Sequence, residues 1–361
     1  MNGNSLKKLG TFGQSIWLDY IRRDLIVSGK LRRLIEEDGL QGMTSNPTIF
    51  EKAIVGSQEY DQDIRAMALG GKGVNAIYEA LSQGDVQRAA DEFRPVYDKT
   101  AGHDGYVSLE VNPHLAHDTK GTVEEAHRLW KTLARPNVFI KVPATTEGLP
   151  AIQALISEGI NVNVTLLFGL PRYRQVADAY LAGLAARAAH GNPLNHVASV
   201  ASFFVSRIDS LIDPLLEKII VQGGKKADLA KQVRGQVAIA NAKMAYQIYK
   251  EIFCSDRFKE LAAQGARAQR LLWASTSTKN PGESDVKYVE ALIGPDTVNT
   301  TPLETLDAYR DHGHPNARIE HGVAEARNVL ERLPDLGISL DHVTQQLAGC
   351  GKTLAFFCLL G

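Results

Sequence analysis

One lysine stands inside a segment that otherwise has the composition of a buried strand. Lys141 lies within Val138 to Pro143, among β-branched and aromatic residues. Burying a lone ammonium is costly unless the group is paired or loses its proton. Because desolvation lowers the pKa of buried lysines, such an amine can become neutral, attack a carbonyl and form a Schiff base. The alternative is a structural lysine whose buried stem carries its ammonium to a carboxylate or to the rim of a sheet. The hexapeptide alone favours neither.

Candidate acid, base and amide groups stand at the ends of other strand-like runs. They are Asp19, Asn46, Glu110, Asn163 and Thr165. Cleavage of a carbon–carbon bond through a lysine imine needs an acid/base for the substrate hydroxyl, a group that handles water and carbinolamine protons, and amides or hydroxyls that orient a polyol. These side chains supply each kind of group. Structural polar packing is the alternative interpretation.

The elements that must position these residues form an alternating pattern. Eight strand-like runs are separated by helical stretches, which is typical of a parallel α/β sheet. We predict a closed (β/α)₈ TIM barrel with additional helices, in which the carboxyl ends of the strands surround one mouth where an active site is expected. The predicted strands are Ser15 to Leu18, Leu40 to Thr44, Tyr106 to Val111, Val138 to Val142, Asn161 to Leu167, Val197 to Phe204, Leu271 to Ser275 and Thr297 to Thr301.

The lengths between these runs indicate where helices are added to the barrel. We expect one barrel domain over residues 1–361, with helical insertions at about 51–105 and 207–266 and a helical C-terminal segment at about 303–361. Within the insertions, helical patterns cover Asn75 to Leu81 and Val86 to Phe93, and Gly223-Gly224 is expected to separate Leu211 to Val221 from Ala227 to Phe253. The apolar run Leu354 to Leu360 is a candidate for docking over the mouth, for a frayed or truncated end, or for contact or fusion with another domain or subunit.

Bulk composition excludes several classes of function. The formal net charge is -1 and 22% of the residues are charged, so no global attraction to nucleic acid or to anionic membranes is expected. No apolar run is long enough to span a bilayer. Three cysteines without zinc-ligand spacing and the lack of a signal sequence favour a reducing cytoplasm. An H-x-x-H-D cluster ends at Asp118, but no third ligand is indicated, so no metal site is expected.

Several of these segments, taken together and in order, resemble the transaldolases. No single segment is specific, whereas their order and spacing follow the family from near the N-terminus to about residue 210. The matching segments are Ser15 to Asp19, Thr44 to Phe50, Ser108 to Val111, Phe139 to Thr145, Ile160 to Phe168 and Ser202 to Arg207. The chain length and the region Trp273 to Thr276 are more similar to the larger bacterial transaldolases than to the short fructose-6-phosphate aldolases.

The resemblance implies a cofactor-independent transferase of the non-oxidative pentose phosphate pathway. Such an enzyme moves a dihydroxyacetone unit from sedoheptulose 7-phosphate to glyceraldehyde 3-phosphate, giving erythrose 4-phosphate and fructose 6-phosphate. By resemblance, Lys141 is the Schiff-base lysine and Asp19 is the acid/base for the C4 hydroxyl. Glu110 with Thr165 matches the pair that holds a catalytic water and moves protons through the carbinolamine and imine steps.

The resemblance also implies how a sugar phosphate is held. Asn46 and Asn163 match amides that bind the dihydroxyacetone hydroxyls, and Phe204 matches an aromatic in the pocket wall. Ser202 and Arg207 match phosphate-binding positions, although Arg207 could instead pair with Asp209 or Asp213 at a helix start. Many family members carry a second phosphate-binding arginine after the seventh strand. This chain has Lys279 nearby, which lacks the bidentate geometry of arginine.

Two other functions compete with transfer at this point. A lysine-dependent aldolase would release free dihydroxyacetone or use another ketose phosphate. Its relatives commonly have glutamine at the position of Glu110, so the glutamate favours a transferase. A sugar-phosphate-binding barrel without catalysis would make Lys141 dispensable. Oligomeric state and the preferred acceptor cannot be inferred from these residues.

Overall fold

Eight parallel strands close into a barrel in which each strand pairs with its neighbours in chain order. The structure is a computed structural model that describes residues 4–349. The predicted TIM barrel is confirmed, and each predicted run overlaps one observed strand. The strands are β1 Gln14–Asp19, β2 Gly42–Thr44, β3 Tyr106–Glu110, β4 Val138–Pro143, β5 Val162–Leu167, β6 Ser199–Phe204, β7 Arg270–Ala274 and β8 Thr297–Thr301.

Helices surround the barrel and lengthen several of its connections. Before β5 they are α1 Ser5–Leu9, α2 Arg23–Val27, α3 Lys30–Asp38, α4 Pro47–Val55, α5 Asp61–Leu69, α6 Val74–Lys99, α7 Thr119–Leu133 and α8 Gly148–Glu158. After β5 they are α9 Leu170–Ala189, α10 Ser206–Gln222, α11 Lys225–Val233, α12 Val237–Phe253, α13 Asp256–Ala262, α14 Lys287–Ala291, α15 Leu303–His312, α16 Val323–Glu331 and α17 Leu340–Gly349. Short 3₁₀ turns cover Gly10–Phe12, Pro113–Leu115 and Pro334–Leu336.

Two helix boundaries differ from the sequence prediction. The two helical patterns expected before β3 are parts of one helix, because α6 continues through Gly84. A glycine within a helix costs about 1 kcal/mol relative to alanine, and the buried residues on both sides of Gly84 offset that cost. Conversely, the expected helix Ala227 to Phe253 is divided into α11 and α12 near Gly235, whose φ of 69° is a left-handed conformation.

Aromatic side chains fill the part of the barrel lumen that lies toward the amino ends of the strands, away from the mouth. Trp17, Tyr106 and Phe139 point inward from β1, β3 and β4, and each is at most 2% exposed. Tyr106 and Phe139 stack with ring centroids 4.2 Å apart, and Trp17 lies 6.1 Å from Phe139. Successive side chains on a strand alternate between faces, so the residues two positions later on these strands also point into the lumen. The aromatic layer is therefore the floor on which the polar mouth rests.

A buried ion pair joins strands at the opposite end of the barrel from the mouth. Asp104 Oδ1 lies 3.0 Å from Arg270 Nη2, and the side chains of Asp104 and Arg270 are 2% and 7% exposed. The same carboxylate accepts hydrogen bonds from Ser15 Oγ at 2.8 Å and from Trp17 Nε1 at 3.0 Å. Asp104 thus connects the start of β1, the start of β7 and the loop before β3.

Replacing Asp104 with alanine should destabilise the barrel. The change leaves the Arg270 guanidinium buried without its carboxylate, which typically costs about 3–5 kcal/mol, and the urea midpoint should fall accordingly. Asp98→Ala is the matched control, because its exposed pair with Arg94 is worth less than about 1 kcal/mol. Equal midpoints for the two variants would contradict the assigned role of Asp104.

The last part of the described chain is helical and contains α15, α16 and α17. These helices lie within the segment at about 303–361 that was expected to be helical. The apolar run Leu354 to Leu360 lies outside the described residues. Within residues 4–349, no helix has both the length and the apolar character needed to cross a membrane.

Candidate active site

Three predicted site residues form one row across neighbouring strands at the mouth. Glu110 on β3 is paired with Lys141 on β4, and Lys141 is paired with Asn163 on β5. Glu110 comes two residues after Ser108, and Lys141 comes two residues after Phe139, so both continue the inward-facing alternation that begins with the aromatic floor. The barrel register thus brings a carboxylate, an amine and an amide side by side.

Lys141 is buried and directly paired. Its Nζ lies 3.2 Å from Glu110 Oε2 and donates to the carbonyl oxygen of Ser45 at 3.0 Å. The Lys141 and Glu110 side chains are 8% and 11% exposed. From the sequence, a carboxylate-paired lysine and a nucleophile are alternatives. This geometry combines a buried amine with a carboxylate close enough to exchange its proton.

Asp19 ends β1 and faces the same mouth. Its Oδ1 accepts a hydrogen bond from Thr44 Oγ1 at 2.6 Å. Burial raises the pKa of the Asp19 carboxyl above its usual range, while the Thr44 hydrogen bond and the positive charge of Lys141 act in the opposite direction. The negative charge of Glu110 raises that pKa further, so Asp19 is coupled to both members of the ion pair.

Amides and hydroxyls form a buried network beside the lysine. Asn163 Nδ2 donates to Ser108 Oγ at 3.1 Å, and Ser202 Oγ donates to Asn163 Oδ1 at 2.7 Å. Ser202, predicted as a phosphate ligand, is therefore engaged with a predicted substrate amide. Asn46 caps α4 by accepting from the Ile49 amide at 3.0 Å, and its Nδ2 has no hydrogen-bond partner within residues 4–349.

Thr165 lies in an irregular part of β5. It is 1% exposed and is paired with Pro143 of β4. The next residue, Leu166, has a φ of 56°, and the pairing of β5 with β6 shifts register between Val164 and Leu167. A left-handed non-glycine residue costs about 1–3 kcal/mol and is commonly found at functional sites. The irregularity immediately follows the predicted proton-transfer threonine.

Arg207 lies in the first turn of α10, directly after β6. Among the described residues it has no ion-pair or hydrogen-bond partner. The alternative pairing with Asp209 or Asp213 is not observed. Asp209 instead accepts hydrogen bonds from the Ala238 amide at 2.7 Å and from Tyr288 Oη at 2.9 Å. Asp213 accepts one from the Gly235 amide at 2.9 Å. The guanidinium is thus available to an anion at the mouth.

Phe204 and Lys279 belong to the remaining parts of the predicted site. Phe204 ends β6, and its ring centroid lies 5.1 Å from that of Phe168, which follows β5. Lys279 lies in the segment between β7 and α14, is exposed, and donates to Ser277 Oγ at 2.7 Å. Its part in phosphate binding stays a prediction.

Sequence reasoning missed four groups that shape the site. Ser45 supplies the carbonyl that accepts from Lys141, Ser108 bonds Asn163, and Thr44 bonds both Asp19 and Thr300. Ser108 could have been found, because it lies two residues before Glu110 on the same face. The contact between Thr44 and Thr300 depends on barrel closure, for which the local sequence carries no signal.

The H-x-x-H-D cluster has ordinary structural contacts. His117 Nδ1 lies 3.0 Å from Glu147 Oε2, and Asp118 caps α7 by accepting from the Gly121 amide at 3.0 Å. Over the described range 4–349, no group of three or more histidine, cysteine, aspartate or glutamate residues is arranged to hold a metal ion.

Comparison with known proteins identifies the family. Residues 16–353 match the family model described as transaldolase/fructose-6-phosphate aldolase. A transaldolase of Trichodesmium erythraeum is 52% identical over 95% of this chain and 92% of its own length. Transaldolases of Saccharopolyspora erythraea and Thiobacillus denitrificans are 50% and 47% identical, covering 94% and 96% of this chain and 90% and 95% of their own lengths. The chain therefore belongs to the transaldolase/fructose-6-phosphate aldolase family.

Proposed function

We propose that this protein is a transaldolase in which Lys141 forms the Schiff base with the donor ketose. It transfers a dihydroxyacetone unit from sedoheptulose 7-phosphate to glyceraldehyde 3-phosphate in the non-oxidative pentose phosphate pathway. Membership of the family and relatives at about 50% identity over nearly the whole chain support the activity. The observation that carries the residue assignment is the buried contact between Lys141 and Glu110 at 3.2 Å.

The ion pair gives the first step a proton acceptor. A lysine attacks a carbonyl as a neutral amine, and Glu110 lies where it can take the Nζ proton. The amine then adds to the ketose carbonyl, and the carbinolamine loses water to give the imine. We propose that Glu110 and Thr165 bind that water and transfer the protons of the carbinolamine and imine steps.

The second step breaks the bond between C3 and C4 of the bound ketose. Asp19 removes the C4 hydroxyl proton, the C3–C4 electron pair moves into the imine, and the aldose product leaves. The dihydroxyacetone unit remains on Lys141 as an enamine. Asn46 and Asn163 are the proposed amides that hold its hydroxyls, which keeps the enamine oriented until an acceptor aldehyde arrives.

The last steps reverse this sequence with a different aldehyde. The enamine carbon attacks the acceptor carbonyl, Asp19 returns its proton to the new C4 oxygen, and water releases the ketose from Lys141. Arg207 is the proposed phosphate ligand, with Ser202 and Lys279 as further candidates, and Phe204 lines the pocket wall. Binding of the phosphate places either aldose in the same position in the pocket. No cofactor takes part in these steps.

Transfer is distinguished from hydrolytic release by measuring both products. With sedoheptulose 7-phosphate and glyceraldehyde 3-phosphate together, we expect one equivalent of fructose 6-phosphate per erythrose 4-phosphate. With the donor alone, free dihydroxyacetone should form far more slowly. Dihydroxyacetone release at the same rate with and without acceptor would identify an aldolase, and binding without either product would identify a barrel that only holds sugar phosphates.

Arg207→Met should weaken phosphate binding more than it slows the reaction. A charge-assisted hydrogen bond is worth about 1.5–3 kcal/mol, so KM for fructose 6-phosphate as donor should rise by about tenfold or more while kcat changes little. Steady-state kinetics with fructose 6-phosphate and with unphosphorylated fructose checks the assignment, because only the first substrate should be affected.

A surface arginine provides the matched control. Arg174 on α9 pairs with Glu251 and is 46% exposed, so Arg174→Met should leave both KM values unchanged. Equal losses for fructose and fructose 6-phosphate in Arg207→Met would show that the arginine supports the pocket without reading the phosphate.

The proposed setting is the cytoplasm, and the proposed ligands are sugar phosphates. The near-neutral net charge of -1 agrees with local anion recognition by a few cations at the mouth, without the basic surface that nucleic acid binding uses. Contact of the C-terminal segment with another domain or subunit stays a separate proposal.

A further inference from the structure

Two threonine hydroxyls lie beside the proposed acid/base, on the strands that flank it. Thr44 Oγ1 is 2.6 Å from Asp19 Oδ1, and Thr300 Oγ1 is 2.7 Å from Thr44 Oγ1. We propose that Thr300 and Thr44 form a hydroxyl chain that holds Asp19 Oδ1, so that Oδ2 is the oxygen that exchanges the proton with the substrate. Both threonines are positioning residues in this proposal, which rests on the proposed function for the identity of the substrate.

The direction of the chain follows from the number of protons. A threonine hydroxyl has one proton to donate and can accept two hydrogen bonds. An ionised carboxylate accepts only, so Thr44 must give its proton to Asp19. Thr300 is therefore the donor to Thr44. The 2.6 Å distance lies within the range of charge-assisted O–H···O⁻ hydrogen bonds, which are about twice as strong as neutral ones.

The barrel itself fixes these positions. Asp19 is paired with Thr44 across β1 and β2, and Thr300 is paired with Trp17 across β8 and β1. Thr44 and Thr300 are 2% and 3% exposed, so water does not compete freely for their hydroxyls. Because rigid strands carry all three side chains, the carboxylate is held before substrate arrives, and catalytic groups benefit from such preorganisation.

The chain makes the two carboxylate oxygens unequal. Oδ1 is occupied by Thr44, whereas Oδ2 has no hydrogen-bond partner within the described range. The charged groups that act on Asp19 are Lys141 from β4, Glu110 from β3 and Glu304 from α15. Of these only Lys141 favours the ionised form. Thr44 is thus the second group that keeps this half-buried carboxylate available as a base.

The neighbouring residue Thr301 provides a matched control. It lies on the same strand as Thr300, is 1% exposed, and its hydroxyl has no hydrogen-bond partner among residues 4–349. Thr301→Val and Thr300→Val therefore make the same chemical change at adjacent buried positions, and only the second removes a donor from the chain. Thr44→Ser retains the hydroxyl and should rescue what Thr44→Val loses.

The test compares these variants by the pH dependence of kcat and by ¹³C NMR titration of Asp19. Loss of the Thr44 hydrogen bond removes stabilisation of the charged carboxylate, so the acid limb of Thr44→Val should move to higher pH. The kcat of Thr44→Val at neutral pH should fall by about tenfold. This loss is smaller than the roughly 10²–10⁴-fold that general acid–base catalysis contributes in total. Thr300→Val should move the limb the same way by less, whereas Thr44→Ser and Thr301→Val should match the wild type.

An unchanged Asp19 titration in Thr44→Val would overturn the proposal, even if KM or stability were altered. If Thr44→Val does not fold, the Asp19 titration is compared between Thr300→Val and Thr301→Val instead. Identical titrations in these two variants would overturn the proposal. The NMR titration needs no turnover. A wild-type protein without transfer activity would therefore defeat the proposed function, while the titration would still report on the hydroxyl chain.

Discussion

Replacing Lys141 with methionine should abolish transfer, with kcat reduced by at least about 10⁴-fold, the scale seen when a covalent nucleophile is removed. Methionine keeps much of the apolar stem but cannot form an imine. The neighbouring Glu110 would lose its partner, so part of any effect could come from a rearranged or destabilised mouth. Coupled assays of erythrose 4-phosphate formation, together with urea unfolding, separate these causes.

Lys141→Arg is the decisive companion variant. Arginine preserves a cation beside Glu110 but stays protonated and is not a nucleophile. If Lys141 acts through covalent chemistry, both variants should be inactive although the arginine variant retains a charge pair. Substantial transfer by Lys141→Arg would mean that the amine serves only as a buried cation, and the Schiff-base assignment would fail.

Asp19→Asn should slow carbon–carbon cleavage by about 10²–10⁴-fold, which is the usual contribution of a positioned general base. The asparagine cannot remove the C4 hydroxyl proton, yet Lys141 can still form its imine. Incubation with fructose 6-phosphate followed by borohydride reduction should therefore trap the intact six-carbon ketose on Lys141. Peptide mass analysis distinguishes this adduct from the three-carbon adduct of the wild type.

The pH profile gives an independent check on Asp19. Burial raises the pKa of its carboxyl, so protonation removes the base at a higher pH than for an ordinary aspartate. The wild-type kcat should accordingly fall on the acid side at a pH above the usual carboxyl range, and Asp19→Asn should lack that limb. A three-carbon adduct formed at the normal rate by Asp19→Asn would assign the base role to another group.

The sequence was sufficient to locate the strands and to suggest which of their residues face the mouth. Lys141, Asn163 and Thr165 could be found because polar side chains stand out in apolar runs and alternate with period two. The family resemblance then supplied roles that spacing could not. Family membership and the barrel were confirmed, whereas the individual roles remain predictions.

The contacts that define the site could not be predicted, because they depend on register between distant strands. Glu110 meets Lys141 only through the pairing of β3 with β4, and Thr44 meets Thr300 only because β1 closes the barrel between β2 and β8. Helix α6 gives a different lesson. The sequence showed two separate helical patterns on either side of Gly84, but packing of the flanking residues holds them in one continuous helix.

Chemical trapping of the wild-type protein tests the central claim most directly. After incubation with fructose 6-phosphate and reduction with borohydride, proteolysis and mass analysis should find a dihydroxyacetone adduct on the peptide that contains Lys141. The adduct should disappear when glyceraldehyde 3-phosphate is supplied before reduction, because the acceptor removes the three-carbon unit. An adduct on a different lysine, or active transfer without any trapped adduct, would contradict Lys141 as the residue that carries the substrate.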